Sequence, residues 1–385
     1  MQINQINNYP SSKTSFKGYD ARQLKGFLVH ENFRGIGRDM LEIGKKEGFK
    51  VYSFFSKNGS QFCREGVPNI NWMGLEWIQD IFTFRNKSLL TNATIREAKA
   101  IKEFFGLESI NNGIGMTYDM GRKYIAGGNF YIVKNGEQEE ALVGANDINN
   151  YLEGSNGPTI DEIKQMLNVE KVISVPQIDY HIDLFIRPLD KKRVLLADDE
   201  MGLNVLREIK EKIIAKIPTV SDEVLVELNN ALLKIDEFLS AQENEQIVNS
   251  ESLKTIPSVD AVEKTLKDND YEVIRVPGNA YNLKFIRSHF DKKYSFNFIN
   301  ANVLKNDRDE LVYITNKSSM DEILGLTSNV KEITDGGVED YFTRAVSKYI
   351  KPEHVYFVSG EDDAVSKYML GKCNGGIHCA CAEIV

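Results

Sequence analysis

Gly371-Lys-Cys-Asn-Gly-Gly-Ile-His-Cys-Ala-Cys381 is the stretch of this 385-residue chain that says most about its fold and chemistry. Glycines just before a cysteine let the backbone turn sharply and approach a ligand closely. His378, if protonated, or nearby backbone amides would raise the fraction of the Cys379 thiol that is present as thiolate. The stretch therefore indicates Cys379 as a reactive nucleophile.

The same stretch allows two other interpretations. One is a zinc cluster made by Cys373, His378, Cys379 and Cys381. Zinc sites usually draw pairs of ligands from two separated segments, and the sequence contains no second Cys/His pair, so we expect no metal. The other is a buried, inert cysteine, and we assign that role to Cys381.

A second polar pattern lies at Asp179-Tyr-His-Ile-Asp-Leu-Phe-Ile186. If this segment is a strand, Asp179, His181 and Asp183 lie on one face, because side chains alternate along a strand. A histidine between carboxylates suits a general acid that later acts as a base. The alternative is the exposed polar edge of a strand. The apolar residues between them favour a polar face that opens onto water or a cavity.

A third pattern, Trp72-Met-Gly-Leu-Glu-Trp-Ile-Gln-Asp80, places a carboxylate beside two large aromatic side chains. Asp80 and Trp77 could hold a planar cation by charge pairing and cation–π contact. The alternative is a pair of core tryptophans next to a surface carboxylate. Asp80 is therefore a candidate for cation binding only in combination with the other two patterns.

Composition excludes several classes of protein. The formal net charge is -9, with 42% hydrophobic and 27% charged residues. That balance argues against non-specific binding to nucleic acid or anionic membranes, which needs surplus Lys and Arg. No stretch reaches the roughly 20 apolar residues of a membrane span. With no recognisable signal peptide and no spread of cysteines, we expect a cytoplasmic protein, with unconventional export left open.

Hydrophobic periodicity predicts an α/β protein. Residues 1–20 are expected to form a flexible arm, and two helices are predicted at Leu203–Ile217 and from Ser221 to about Ala241, within a helical elaboration at about 201–260. The predicted strands are Tyr124–Val133, Lys171–Val175, Asp179–Ile186, Arg193–Ala197, Tyr271–Val276, Tyr294–Ile299, Leu311–Ile314 and His354–Val358.

Taken together, the motifs resemble the guanidino-group-modifying, or pentein, superfamily, with peptidylarginine deiminases and agmatine deiminases most similar. Four motifs match in order: Trp-x-Gln-Asp at Trp77–Asp80, Gly-Gly-Asn at Gly127–Asn129, His-x-Asp at His181–Asp183 and Gly-x-x-His-Cys at Gly375–Cys379. The resemblance implies one pentein α/β-propeller domain over residues 21–385, with repeated ββαβ units around a central active-site cavity.

The resemblance also implies roles for particular residues. Cys379 would be the nucleophile, and His181 would protonate the leaving nitrogen and then activate water. Asp80 and Asp183 would grip the guanidinium nitrogens. Substrate-binding roles are implied for three more residues: Trp77, Asn129 and Asn297. No cofactor is implied.

The implied reaction is deimination of an arginine-type guanidinium to a ureido product and ammonia. Several relatives that act on free arginine or agmatine carry an acidic residue where this chain has Ala126. That departure favours an arginine-containing peptide or protein over a small guanidino compound as substrate. An amidinotransferase and a non-catalytic pentein-like binding protein remain as alternatives.

Overall fold

The computed structural model describes 15 segments of the chain. They are residues 2–5, 26–30, 35–55, 78–85, 87–91, 95–111, 125–135, 138–148, 157–179, 181–190, 192–248, 257–278, 296–366, 369–370 and 375–384.

The strands are short and follow one another along the whole chain. In chain order, β1 to β16 are Gln2–Gln5, Gly26–His30, Lys50–Phe55, Phe82–Arg85, Ser88–Thr91, Ser109–Asn111, Phe130–Asn135, Gln138–Gly144, Lys171–Val175, Ile186–Asp190, Arg193–Asp198, Glu272–Pro277, Asn302–Lys305, Leu311–Asn316, Val355–Val358 and Cys381–Ile384.

Helices separate many of these strands. In chain order, α1 to α10 are Ile36–Glu47, Ile78–Ile81, Ile95–Phe105, Ile160–Leu167, Asp199–Lys216, Asp222–Val248, Val259–Lys267, Met320–Leu324, Ser328–Thr334 and Val338–Val346. Short 3-10 turns cover Gly127–Asn129 and Ile182–Leu184, among others.

The strands form five sheets within the described residues, and one pattern recurs in all of them. In β4-β5-β6, β7-β8-β9, β10-β11-β12 and β13-β14-β15, the first pair is antiparallel and the second is parallel. Because parallel neighbours need a crossover connection, at least one helix lies between the second and third strand of each sheet. Each unit is therefore ββαβ, as the sequence resemblance implied.

The fifth unit is assembled from both ends of the chain. β16 pairs antiparallel with β2, β2 pairs parallel with β3, and α1 connects those two strands. β1 adds a fourth strand antiparallel to β3, so Gln2–Gln5, within the expected arm, is part of a sheet. Because β16 begins two residues after Cys379, this unit helps to fix the position of that cysteine.

The helical elaboration belongs to the third unit, where α5, α6 and α7 connect β11 to β12. α5 begins where the Asp198 side chain caps the Met201 N–H at 3.0 Å, and its residues Leu206, Ile209 and Ile213 are fully buried. Their spacing is that of one helix face, which is the pattern that predicted this helix. The second helix continues to Val248, seven residues beyond its predicted end.

Three predicted strands are wrong in the part that the structure describes. Tyr124–Val133 contains a 3-10 turn at Gly127–Asn129, and its strand begins only at Phe130. Asp179–Ile186 contains a 3-10 turn instead, and the strand begins only at Ile186. Residues 296–299 of the predicted strand Tyr294–Ile299 form no strand and run into bends at 298–300, and Tyr294 lies outside the described residues. Residues 181–186 and 296–300 are buried on both the apolar and the polar positions, so their apolar residues do not report an alternating strand face.

None of the helices in the described part of the chain combines the length and the apolar character needed to cross a membrane.

Candidate active site

Two buried asparagines hold the turn that precedes Cys379. The backbone N–H of Ile377 donates to Asn316 Oδ1 at 2.7 Å. A β-carbon on Gly376 would lie 2.5 Å from that oxygen and 2.6 Å from Asn300 Oδ1, closer than real β-carbons approach any atom. Glycine is therefore required here for the close approach of backbone to amide side chains.

The Cys379 thiol lies between an amide and a carboxylate. The residue is only 5% exposed, and it is not part of a disulfide. Asn300 Nδ2 donates to Sγ at 3.2 Å, and Sγ lies 3.4 Å from Asp183 Oδ2. The amide donor stabilises a thiolate, whereas the carboxylate favours the protonated thiol until a cation neutralises it.

Asparagine side chains also set the local structure around Asp183. Asn129 Oδ1 accepts the N–H of Ile182 at 3.1 Å, and Asn297 Nδ2 donates to the carbonyl of Leu184 at 2.8 Å. These amides form hydrogen bonds with the backbone N–H and C=O groups that a neighbouring strand would otherwise bind. The segment therefore turns instead of extending. Asp183 sits at the centre of this turn and is fully buried.

His181 lies against the same turn. A β-carbon on Gly128 would be 2.7 Å from His181 Nδ1 and 3.0 Å from Asp183 Oδ2. The imidazole and the carboxylate therefore flank one patch of backbone in the Gly-Gly-Asn segment, and His181 is only 6% exposed. Of the four predicted catalytic residues, Cys379 and His181 thus lie near the carboxylate of a third, Asp183.

The fourth, Asp80, follows a residue whose backbone contacts the cluster. It lies in α2, where the N–H of the preceding residue, Gln79, donates to the carbonyl of Cys379 at 3.1 Å. The side chain of Asp80 and the whole of Trp77 lie outside the described residues. Their predicted contacts with a guanidinium stay predictions.

The structure brings a second histidine into the cluster. His378 is fully buried, its backbone N–H donates to Asn300 Oδ1 at 3.0 Å, and its Nδ1 lies 2.8 Å from Asp183 Oδ2. Its ring packs against that of Tyr131, with 5.5 Å between centroids. The sequence suggested His378 as a neighbour of the thiol, but this contact joins its ring to the carboxylate.

A fully buried arginine lies behind this histidine. Arg187 donates to Glu383 Oε1 at 2.7 Å and to the Tyr131 hydroxyl at 3.3 Å, and its guanidinium also lies over the Tyr131 ring. Burial opposes the charge, but Tyr131 and the Glu383 carboxylate outweigh it, so the pKa of Arg187 is raised. A permanent cation therefore binds the tyrosine that packs against His378.

Cys381 lies beyond the cluster, at the start of β16, and is fully buried. Burial raises the pKa of its thiol, and a hydrogen bond with Asn302 only partly opposes that shift. A thiol in that environment is a poor nucleophile, which is consistent with the inert role expected for it. Cys373 and Cys63 lie outside the described residues.

Two site residues were missed from sequence: Asn300, which contacts the thiol, and Asn316, which holds the preceding turn. Asn129 and Asn297 use their amides to fix backbone near Asp183, and their predicted contacts with substrate stay predictions. The available signal for Asn300 was the Asn-rich run from Asn297 to Asn302, in which only the first asparagine was singled out.

No protein-family model and no curated protein matches this chain. Solved structures do resemble it at low identity. An agmatine deiminase from C. jejuni with substrate bound has a TM-score of 0.44 and 14% identity, covering 94% of this chain and 93% of that chain. The N-terminal domain of ArgZ, a cyanobacterial arginine dihydrolase, has a TM-score of 0.41 and 12% identity, with 93% and 97% covered.

A third similar structure is DDAH from Pseudomonas aeruginosa in complex with citrulline. Its TM-score is 0.34 at 10% identity, covering 83% of this chain and 98% of that chain. At these scores the likenesses carry no argument about the reaction of this chain. The neighbours are pentein-superfamily enzymes, the superfamily that the four sequence motifs resemble.

Proposed function

We propose that this chain is a hydrolase that deiminates an arginine-type guanidinium, releasing ammonia and a ureido product through a covalent adduct on Cys379. One observation carries the proposal: the buried Cys379 Sγ lies 3.4 Å from Asp183 Oδ2, and His181 and Asp183 flank the same backbone at Gly128. A thiol, a carboxylate and an imidazole in one buried cluster supply a nucleophile, a cation-binding group and a general acid–base.

Binding of the substrate cation would favour the thiolate form of Cys379. A buried carboxylate 3.4 Å from the thiol disfavours the thiolate, because two negative charges would be close together. A guanidinium paired with Asp183 removes that penalty and holds its central carbon beside Sγ. Asn300 then stabilises the thiolate by donating to Sγ. Asp80 is proposed to grip the guanidinium as the second carboxylate.

The reaction then proceeds in two steps, formation of the Cys379 adduct and its hydrolysis. Cys379 loses its proton to solvent when the cation binds, and the thiolate attacks the guanidinium carbon. Protonated His181 gives its proton to one terminal nitrogen, and ammonia leaves as the carbon–nitrogen bond breaks. Water attacks the remaining thiouronium adduct and gives one proton to His181. The carbon–sulfur bond then breaks, and the remaining hydroxyl proton passes to Sγ, which releases the ureido product and regenerates the thiol.

Three finer features belong to the same proposal. The five ββαβ units are proposed to surround the site as the blades of one pentein propeller. Ala126, in place of the acidic residue found in several free-arginine and agmatine relatives, supports an arginine-containing peptide or protein as substrate. Because the reaction needs a reduced Cys379, a reducing compartment such as the cytoplasm is proposed.

The test is ammonia release from arginine, agmatine and an arginine-containing peptide, each with wild type, Cys379→Ala and, as matched control, Cys381→Ala. The proposal expects turnover, fastest on the peptide, by wild type and the control but not by Cys379→Ala. No ammonia from any substrate would refute it. Transfer of the amidino group to an added primary amine, in place of hydrolysis, would make the chain an amidinotransferase.

A further inference from the structure

His378 makes two contacts that tie the thiol to the carboxylate. Its backbone N–H donates to Asn300 Oδ1 at 3.0 Å, and the Nδ2 of that same amide donates to Cys379 Sγ. Its ring Nδ1 lies 2.8 Å from Asp183 Oδ2, the oxygen that Sγ approaches at 3.4 Å. Since His378 directly precedes Cys379, backbone and ring together fix where Asp183 stands relative to the thiol.

We propose that His378 is a positioning residue that acts through Asp183, donating a hydrogen bond from Nδ1 to Oδ2. This rests on the proposed function, in which Asp183 binds the substrate cation. His378 and the thiol both approach Oδ2, so the orientation of the whole carboxylate depends on this contact. His378 thereby sets the orientation in which the carboxylate presents itself to substrate.

The donated hydrogen bond also affects the thiol. A hydrogen bond from Nδ1 draws negative charge on Asp183 toward the imidazole, which reduces its repulsion of a thiolate at 3.4 Å. The charged and titratable groups placed near the thiol by contacts in the described chain are His181, Asp183 and His378. Tyr131 packs against His378 and is bound by Arg187, which pairs with Glu383. Loss of the Nδ1 donor therefore moves the thiol away from the thiolate form.

The first test determines the tautomer of His378 in the wild-type protein. It does not depend on the catalytic activity of any variant. Two-bond ¹H–¹⁵N correlation spectra of ¹⁵N-histidine-labelled protein report which ring nitrogen carries the proton. The chain has five histidines, so the signal lost in His378→Asn identifies the one of interest. We expect a protonated Nδ1 at neutral pH. A bare Nδ1 would overturn the proposal.

The second test compares two amides that differ in reach. Asparagine places an amide N–H as many bonds from Cβ as Nδ1 is, whereas glutamine places it one bond farther. The readout is the pH midpoint for alkylation of Cys379 by iodoacetamide, followed by peptide mass spectrometry. His378→Gln is expected to raise the midpoint by about one pH unit, or tenfold less thiolate below it. His378→Asn is expected to stay within about 0.3 unit of wild type.

Substrate kinetics give the matching result. Loss of a hydrogen bond to a charged group lowers kcat/KM about 10–100-fold in His378→Gln, and His378→Asn recovers most of it. His354→Gln is the matched control, because His354 is also buried and its Nδ1 also meets a carboxylate, that of Glu47 at 2.9 Å. It is expected to change the melting temperature but neither the alkylation midpoint nor kcat/KM.

The outcomes separate this proposal from the one on which it rests. If Asn and Gln variants behave alike in both alkylation and kinetics, His378 does not act through an Nδ1 donor, whether or not the enzyme deiminates guanidinium. If no guanidino substrate turns over but the alkylation midpoints differ as expected, the His378–Asp183 link stands and the proposed function fails. Should His378→Gln not fold, the wild-type tautomer, assigned with His378→Asn, still decides.

Discussion

Substitution of Gly128 by alanine tests whether the geometry around Asp183, and not merely its composition, supports the reaction. The added β-carbon would lie 2.7 Å from His181 Nδ1 and 3.0 Å from Asp183 Oδ2. Ordinary contact begins near 3.4 Å, so the imidazole must retreat by about 0.7 Å and the carboxylate by about 0.4 Å. Neither side chain has space to do so freely, since both are buried.

The retreat has a direct cost in rate. Asp183 cannot move without changing its 2.8 Å contact with His378 and its 3.4 Å contact with Cys379 Sγ. A misplacement approaching 1 Å costs on the order of 10²-fold in rate. We therefore expect kcat/KM for ammonia release to fall about 30–100-fold in Gly128→Ala. Overpacking should also lower the free energy of unfolding by about 1–3 kcal/mol, leaving the protein folded.

Gly37→Ala is the matched control for this substitution. Gly37 lies inside α1, and among the described residues an added β-carbon there meets only the Val29 Cγ2 methyl, at 3.3 Å. Alanine is also about 0.5–1 kcal/mol better than glycine within a helix. This variant should keep wild-type activity. If Gly128→Ala stays within threefold of wild type, or if Gly37→Ala loses as much activity, the reasoning about the site geometry is refuted.

Three further substitutions test other parts of the molecule. Arg187→Met should lower the free energy of unfolding by about 3–5 kcal/mol in urea titrations, because the buried Glu383 carboxylate loses its cationic partner. Arg187→Met/Glu383→Gln should recover at least half of that loss, and no recovery would contradict the assigned pair. Burial raises the pKa of Glu339 to about 7, so the folded state holds a proton that the unfolded state releases near pH 4.5. Stability should therefore fall as pH rises from 4.5 to 7, by up to about 3 kcal/mol, and Glu339→Gln should abolish that slope. The same change in the free energy of unfolding between pH 5 and 8 in wild type and Glu339→Gln, measured by urea titration, would refute this assignment. Asn300→Ala should slow iodoacetamide alkylation of Cys379 at least about tenfold, because Sγ loses its amide donor. An unchanged rate would show that this hydrogen bond does not stabilise the thiolate.

Local pattern was enough to predict much of the scaffold. The strand Lys171–Val175 has the bounds expected from its apolar run, and α5 follows the helical spacing of its buried residues. Both are elements whose hydrophobic period reports a single buried face. The C-terminal motif and the His-x-Asp motif were also sufficient to select Cys379, His181 and Asp183, which the fold brings together.

The same local reasoning failed where every side of a segment is buried. Ile182 and Leu184 alternate with polar residues as in a strand, yet the segment turns because amides from Asn129 and Asn297 bind its backbone. Those partners lie 53 and 113 residues away in the chain. No periodic pattern encodes such contacts.

The thiol's amide partner was beyond sequence reasoning for a related cause. Asn300 is 79 residues from Cys379, and its side chain contacts both Sγ and the backbone of the residue before it. An asparagine in an Asn-rich loop is ordinarily interpreted as a turn residue. Its role becomes visible only when the β13–β15 unit and the C-terminal turn are placed side by side.

The most direct measurement of the central claim is the mass of Cys379 during turnover. Wild-type protein mixed with an arginine-containing peptide and quenched in acid should yield a C-terminal fragment in which Cys379, and not Cys381, carries the substrate as a thiouronium adduct. The adduct should be absent in Cys379→Ser and should disappear once substrate is consumed. Ammonia release with no adduct on Cys379 at any quench time, and undiminished turnover in Cys379→Ser, would contradict the account.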